Sequence, residues 1–386
     1  MAKSVKFNED EYFGISNDAS ASIFGYLFQA KVALWLFLLD IRNAQFVKVE
    51  TRNQDIEILF DDKTEFAQVK AQQNYSTVDN AKNKLKSAII SLARTDASDN
   101  DSLVYINNFK TPLLVEGDEQ LRMELVNYNN LSPEQKNAVD QCFAEIINSL
   151  QKDINEVKEK QKDVNDVKRK NSTRKLSAIR HLILKFDKNK LFFGNIYRCS
   201  ENDENDLLYD VELKLLSLGI ELNRSVLKRV FDDWVKILTV SEQKKDNNEN
   251  ESKKLISKKV FSWSIASKIM NDGFSYDEMV RCGVLRQIHS YNKERATEII
   301  NDGLFNTESW LICNKIINEY KDFTEIYKDK YDFDFINMMW KNYRDDLSPD
   351  SEEEDVQEAI TRYKIYKIIS KKKSITDVQR KMGCRV

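Results

Sequence analysis

From Ala19 to Asp40 the apolar residues Ile23, Leu27, Ala30, Leu34, Phe37 and Leu38 recur at intervals of three and four, which predicts one buried helix. Alternation takes over in Val47 to Phe60 and in Glu65 to Gln72. This predicts two strands, with Asp61 and Asp62 as the turn between them. Ser76 to Asp79 has the form of a capping box, and Asn80 to Arg94 then reads as a helix with Leu85, Ile89, Ile90 and Ala93 inward. Ser102 to Asn107 predicts a further strand. Together these segments describe a small mixed sheet flanked by helices, an α/β core of roughly 100 residues.

The period changes again further on. Phe143, Ile147, Leu150, Ile154, Val157, Gln161 and Val164 keep steps of four and three over about three heptads, which predicts a protruding helical arm. That arm is either a coiled-coil contact with another chain or a helix packed on its own domain. Within it KDINEVK at 152 to 158 returns as KDVNDVK at 162 to 168, one local copy and not a repeat architecture. RHLILKF at 180 to 186 is strand-like, with His181 as a structural residue, and helices follow around 206 to 218 and 223 to 239. The polar run SEQKKDNNENESKK at 241 to 254 reads as a linker. Beyond it, aromatic-rich segments around Trp263, Trp310 and Trp340 predict a second, helical domain.

Composition narrows the function classes. Three prolines in 386 residues leave room for long helices, and five scattered cysteines form neither a zinc pair nor a disulfide framework. A reducing cytoplasm fits that usage. The opening MAKSVKFNEDEYFG has no signal-peptide core, and VALWLFLL at 32 to 39 is too short to span a bilayer, so no membrane association is expected. A net charge of −3 argues against a uniformly basic nucleic-acid binder but leaves room for a local basic face. With only His181 and His289, histidine-based nuclease or zinc chemistry is not expected, and no phosphate-binding loop of the ATPase type occurs.

The candidate chemistry lies in VETRNQDIEILFDDKTEFAQVKAQQ, residues 49 to 73. A tight turn at Asp61-Asp62 places Phe60 opposite Lys63 and, further back, Asp55 opposite Gln68. Glu57 then shares a face with Asp55, and Lys70 with Gln68, while Ile56, Ile58, Ala67 and Val69 point the other way. A carboxylate, an amide oxygen and a lysine on one sheet face suit phosphodiester hydrolysis with Mg²⁺ or Mn²⁺. Asp55 is the expected central ligand and Gln68 a second, with Glu50 or Glu57 supplying another carboxylate. Lys82 and Lys86, four apart on the next helix, and nearby Lys84 are candidate DNA phosphate contacts near a helix N-terminus. The same residues also fit the solvated face of an exposed hairpin.

In order, SNDASASIFGYLFQAKVALWLFLL, VETRNQDIEI, AQVK and LVYINNF resemble the nuclease domain of bacterial anti-phage double-stranded-DNA endonucleases in the PD-(D/E)xK restriction-endonuclease-like superfamily. The resemblance is clearest over about residues 19 to 110. It extends to the domain that some CBASS effectors carry fused to a cyclic-nucleotide sensor, and to the nuclease subunit of Lamassu systems. By position it implies Gly25, Tyr26 and Gln29 as the first-helix element, with Gln29 facing the site. It implies Glu50 and Asp55 as the acidic strand, and Gln68 and Lys70 as the Q-x-K element. A second acid often stands beside the central Asp in that family, whereas this chain has Gln54.

The resemblance implies an α/β restriction-endonuclease-like nuclease module over 1–240, with its catalytic core at 19–110 and its arm at 141–170. After the 241–254 linker comes a mainly α-helical C-terminal interaction domain over 255–386. That helical character favours the Lamassu type over the nucleotide-sensing type. The implied activity is metal-dependent cleavage of double-stranded DNA with little sequence preference, in a cytoplasmic defence complex. Its implied partners are an SMC-like ATPase subunit and a further small subunit, with pairing into a homo-oligomer when active. The competing expectation is a nuclease fold without catalysis, kept as a scaffold for DNA or partners. The final SITDVQRKMGCRV resembles the start of a helix-turn-helix but stops before a recognition helix.

Overall fold

Among the described residues, hydrophobic burial organises a mixed seven-stranded sheet in the spatial order Val126–Asn127, Leu191–Asn195, Ser102–Asn107, Thr64–Lys70, Ile56–Leu59, Phe46–Val49 and Ile256–Ser257. In chain order, α1 (Ala19–Leu39) precedes β1 (Phe46–Val49), β2 (Ile56–Leu59), β3 (Thr64–Lys70), α2 (Val78–Ala93), β4 (Ser102–Asn107) and β5 (Val126–Asn127). Then come α3 (Pro133–Glu159), α4 (Val167–Leu184), β6 (Leu191–Asn195), α5 (Glu201–Ser217), α6 (Arg224–Gln243) and β7 (Ile256–Ser257). The computed structural model describes residues 19–51, 54–72, 78–109, 125–159, 167–196, 201–243, 255–270, 275–302 and 310–384. The proposed capping box at Ser76, most of the KDVNDVK copy and residues 244–254 of the expected linker lie outside them. The chain divides into two compact units, Met1–Leu213 with Val235–Ile256, and Lys214–Trp234 with Ser257–Val386.

In the first unit β2 runs antiparallel to both its neighbours, β1 and β3, and β3, β4 and β6 are parallel. The connection from β3 through α2 to β4 is the helical crossover that a parallel pair requires. One sheet face buries Leu103, Tyr105, Leu191 and Phe193 under α2, α3 and α4, which contribute Leu85, Ile89, Phe143, Ile146, Leu150 and Ile183. The opposite face buries Val47, Val49, Ile56, Ile58, Ala67 and Val69. Helix α1 lies against β1, β2 and β3, and its near-continuous apolar run, buried from Val32 to Leu38, suits a cover for that face.

Three expectations are corrected. The long strand over Val47 to Phe60 is two strands, because Glu50 takes a left-handed backbone (φ 52) and the chain doubles back between β1 and β2. As far as Glu159 the expected arm does not project: Phe143, Ile146, Leu150 and Ile154 are buried in the unit's own core, where α3 packs against α4. RHLILKF lies mostly in α4 and not in a strand, with Ile183 inward and His181 exposed. A short apolar run fits either period, and here its helical neighbours decide. The strand of that region is β6, a few residues later.

The second unit is helical, with α7 (Lys258–Met270), α8 (Tyr276–Arg281), α9 (Ser290–Asp302), α10 (Trp310–Ile326), α11 (Asp332–Leu347), α12 (Glu354–Ser370) and α13 (Lys372–Lys381). Helix α12 contributes to two buried clusters. Ile365, Ile368 and Ile369 join Trp263, Phe335, Trp340 and Tyr343, whereas Ile360 and Tyr363 join Tyr276, Val284 and Ile300. Trp263, Phe335, Trp340 and Tyr343 are therefore core. The C-terminal segment ends in one helix, closed by Gly383 at φ 74, the left-handed stop that glycine tolerates. Among the described residues no helix is long and apolar enough to cross a membrane.

Candidate functional site

The β2–β3 ladder pairs Leu59 with Thr64, Ile58 with Glu65, Glu57 with Phe66 and Ile56 with Ala67. One step further brings Asp55 opposite Gln68, the register that the turn at Asp61-Asp62 predicts. Phe60 N–H donates to Lys63 O at 3.0 Å and closes that turn. The β1–β2 ladder ends at Val49 and Ile56. Beyond it Glu50 N–H donates to Asp55 O at 2.8 Å and Thr51 N–H to Gln54 O at 2.9 Å. The backbone therefore sets Glu50 opposite Asp55, at the end of the sheet where β3, β4 and β6 present their carboxyl ends.

Side chains converge there. Asp55 Oδ2 accepts the Val69 N–H at 2.7 Å and lies 3.7 Å from Lys70 Nζ. Lys70 Nζ donates to Gln68 Oε1 at 3.1 Å. Gln68 is 3% exposed, a costly place for an amide unless its polar atoms are bonded. Its Nε2 donates to Gln54 Oε1 at 2.9 Å, and Gln54 Nε2 donates in turn to Ser91 O at 3.1 Å and Thr95 Oγ1 at 2.5 Å. The site is thus tied to the C-terminal turn of α2.

Of the three lysines on or near one turn of α2, Lys84 reaches toward the site. Its Nζ donates to Ala71 O at 2.8 Å, just past β3. Burial first, and then the positive charge of Lys70, pushes the Lys84 pKa down to about 8. Lys82 and Lys86, expected as phosphate contacts beside it, instead share Glu145 of α3, with Lys86 Nζ at 2.5 Å from Glu145 Oε2. A four-residue interval puts them on one helix face, and that face meets α3. The Lys82 ammonium is held above its ordinary pKa, first by its hydrogen bond to Glu145, and the Glu145 carboxyl is held below its own by the two lysines.

Two other expected members stand apart. Glu57 shares the predicted face but pairs across the strands with Lys48 at 3.5 Å. Gln29 belongs to α1, and no hydrogen bond joins it to Asp55, Gln68 or Lys70; its Oε1 is buried without a hydrogen-bond partner. Sequence reasoning missed the buried carboxamides at the ends of the parallel strands. Asn107 neighbours Lys70 in register, and Asn195 neighbours Asn107. Asn195 Nδ2 donates to Asn107 Oδ1 at 2.5 Å and to Phe109 O at 2.8 Å, leaving its own buried Oδ1 without a partner. The polar Asn-Asn after the apolar LVYI was the available signal for Asn107.

The donor set suits a hard divalent ion. Asp55 offers a carboxylate fixed by a backbone N–H, and Gln68 an amide oxygen whose direction is fixed by Gln54 and Lys70. Mg²⁺ commonly takes one or two such protein oxygens and completes its shell with water and phosphate. Among the described residues no group of three or more His, Cys, Asp or Glu is placed to hold a metal. A site here would therefore depend on those added oxygens.

No family model and no curated protein matches the chain. Solved structures that align with it include Cap4 SAVED/CARF-domain receptors. The Acinetobacter baumannii receptor with the cyclic trinucleotide 3'3'3'-cAAA shares 16% identity at a TM-score of 0.34, over 71% of this chain and 49% of that one. The same receptor without a named ligand gives 17% and 0.34, over 71% and 51%. The Moraxella osloensis receptor gives 15% and 0.31, over 66% and 48%. The chain spans about half the length of these matches. The assignment to the restriction-endonuclease-like family of the Lamassu type is corrected: no family model matches the chain, and the solved structures named above are described as receptors. Short motifs such as D and Q-x-K recur on charged hairpins of many folds, so spacing alone overstates kinship. The SMC-like ATPase and small-subunit partners that this resemblance implies have no support from the comparisons.

Proposed function

We propose that the first unit is a metal-dependent phosphodiesterase acting on double-stranded DNA, with Asp55, Gln68 and Lys70 as its working residues. The observation that carries the reading is Lys70 Nζ, 3.1 Å from Gln68 Oε1 and 3.7 Å from Asp55 Oδ2, at the carboxyl ends of parallel strands. In open α/β sheets such ends are the usual place for ligands. The reading is independent of family membership.

Hydrolysis joins a water oxygen to phosphorus and breaks one phosphorus–oxygen ester bond; the water gives up a proton and the leaving oxygen gains one. When bound, Mg²⁺ or Mn²⁺ supplies positive charge to the phosphate and acidifies water. Asp55 and Gln68 would hold it, and Glu50, opposite Asp55 on the backbone, is the candidate for a further carboxylate. Lys70 places a cation beside both oxygens, where it stabilises the negative charge that builds on the phosphate. Lys84 adds a second cation below about pH 8.

Supercoiled plasmid incubated with the chain and Mg²⁺ or Mn²⁺, beside Lys70→Ala and EDTA controls, tests the reading. Nicking or linearisation by the parent chain alone supports it. Cleavage that survives loss of Lys70 and Asp55 overturns it, and DNA binding without any metal-dependent product favours the scaffold.

A further inference from the structure

Gln68 can serve a cation only with its amide oxygen turned toward Lys70, and a carboxamide is nearly symmetric in shape, so packing alone does not choose between the two orientations. We infer that Gln54 makes the choice, as a positioning residue that sets the direction of the Gln68 amide. This deepens the metal-dependent reading and rests on it for its purpose.

Hydrogen-bond polarity fixes each amide in turn. Ser91 O is a backbone carbonyl and can only accept, so the Gln54 group 3.1 Å from it must be the nitrogen. Thr95 Oγ1, the second acceptor of that nitrogen, accommodates the same choice. Gln54 Oε1 therefore faces Gln68, and the atom meeting it at 2.9 Å must be the Gln68 nitrogen. Gln68 Oε1 is left facing Lys70, an ammonium that can only donate, at 3.1 Å. Each link forbids the reversed amide of the next, from a helix carbonyl on α2 to the lysine of the site. Gln54 is 2% and Gln68 3% exposed, so water is poorly placed to substitute for a lost partner. The residue that stands where a second acid was expected thus has a role of its own: an acid there would turn an oxygen toward Ser91 O.

The test uses Gln54→Met, which keeps bulk and removes both polar atoms, with Gln54→Leu as a second variant should the first fail to fold. Each is made in the parent chain and in Gln68→Glu. A carboxylate presents oxygen whichever way it turns, so a glutamate at this position needs no orienting partner. Mn²⁺ affinity is read from the free-ion electron paramagnetic resonance signal, and the Gln68 side-chain amide from ¹⁵N NMR of the metal-free chain. Replacing a residue that orients a metal ligand is expected to weaken Mn²⁺ binding by roughly 10-fold in the parent background. In Gln68→Glu the same replacement is expected to cost nothing. The Gln68 amide resonance should also shift in the metal-free variant. Equal losses in both backgrounds would show general structural damage and overturn the inference, as would an unmoved amide resonance. If the parent chain holds no Mn²⁺, the metal-dependent reading fails, and the Gln68 resonance alone decides whether Gln54 orients it.

Discussion

Lys70 and Asp55 meet at 3.7 Å across the β2–β3 hairpin, and the Asp55 oxygen involved also accepts the N–H of Val69 at 2.7 Å. The backbone of β3 thus holds the carboxylate that the next side chain of the same strand approaches. The pair is half-buried, which favours a working contact over a solvent-screened surface ion pair.

Replacing Lys70 by Ala should remove the cation without disturbing the ladder. If it stabilises charge during hydrolysis, plasmid cleavage should fall by roughly 10² to 10³. Circular dichroism and the thermal midpoint should stay near those of the parent chain. Asp55→Ala should lose cleavage and also some stability, about 1 to 3 kcal/mol, because Val69 N–H is left without its acceptor.

The lysines of α2 should separate by role. Lys84→Gln is expected to weaken DNA binding below about pH 8, where its ammonium is charged, and to have little effect above it. Filter binding on either side of that pH checks the sign. Stability should move the opposite way. The folded pKa lies below the ordinary 10.5, so between about 8 and 10.5 the unfolded chain holds the proton that the folded chain has released, and raising the pH favours folding.

Glu145→Ala frees Lys82 and Lys86 from their shared carboxylate. All three side chains are partly exposed, so the expected loss is at most about 1 kcal/mol in denaturant unfolding. The lowered Glu145 pKa makes its contribution present above the ordinary 4.5 and lost as pH falls through the folded value. Cleavage should be unchanged. A clear gain in DNA binding or cleavage, from two ammonium groups released to meet phosphate, would return these lysines to the phosphate-binding role.

Phe143→Ala distinguishes a packed helix from a projecting arm. Phe143 is 3% exposed and its ring stands 5.2 Å from that of Phe186, so truncation should cost about 3 to 5 kcal/mol. A residue on a free arm would tolerate the change with almost no shift in the unfolding midpoint.

Local patterning carried much of this protein into view from the sequence alone. The three-and-four spacing of α1, the alternation of β2 and β3 and the acidic turn at Asp61-Asp62 determined the hairpin register, because strand side chains alternate strictly and a turn closes in few ways. Asp55, Gln68 and Lys70 were therefore legible as neighbours. Tertiary structure decided what no local period encodes: which face each helix turns to the sheet. It drew Lys82 and Lys86 to Glu145, left Lys84 for the site, folded the supposed arm into the core and put Gln29 on the helix that lies against the other side of β1–β3. It also brought Gln54 to Ser91 and Thr95, a contact fixed by how α2 packs on the strands. Spacing along the chain ranks residues by face; only packing chooses their partners.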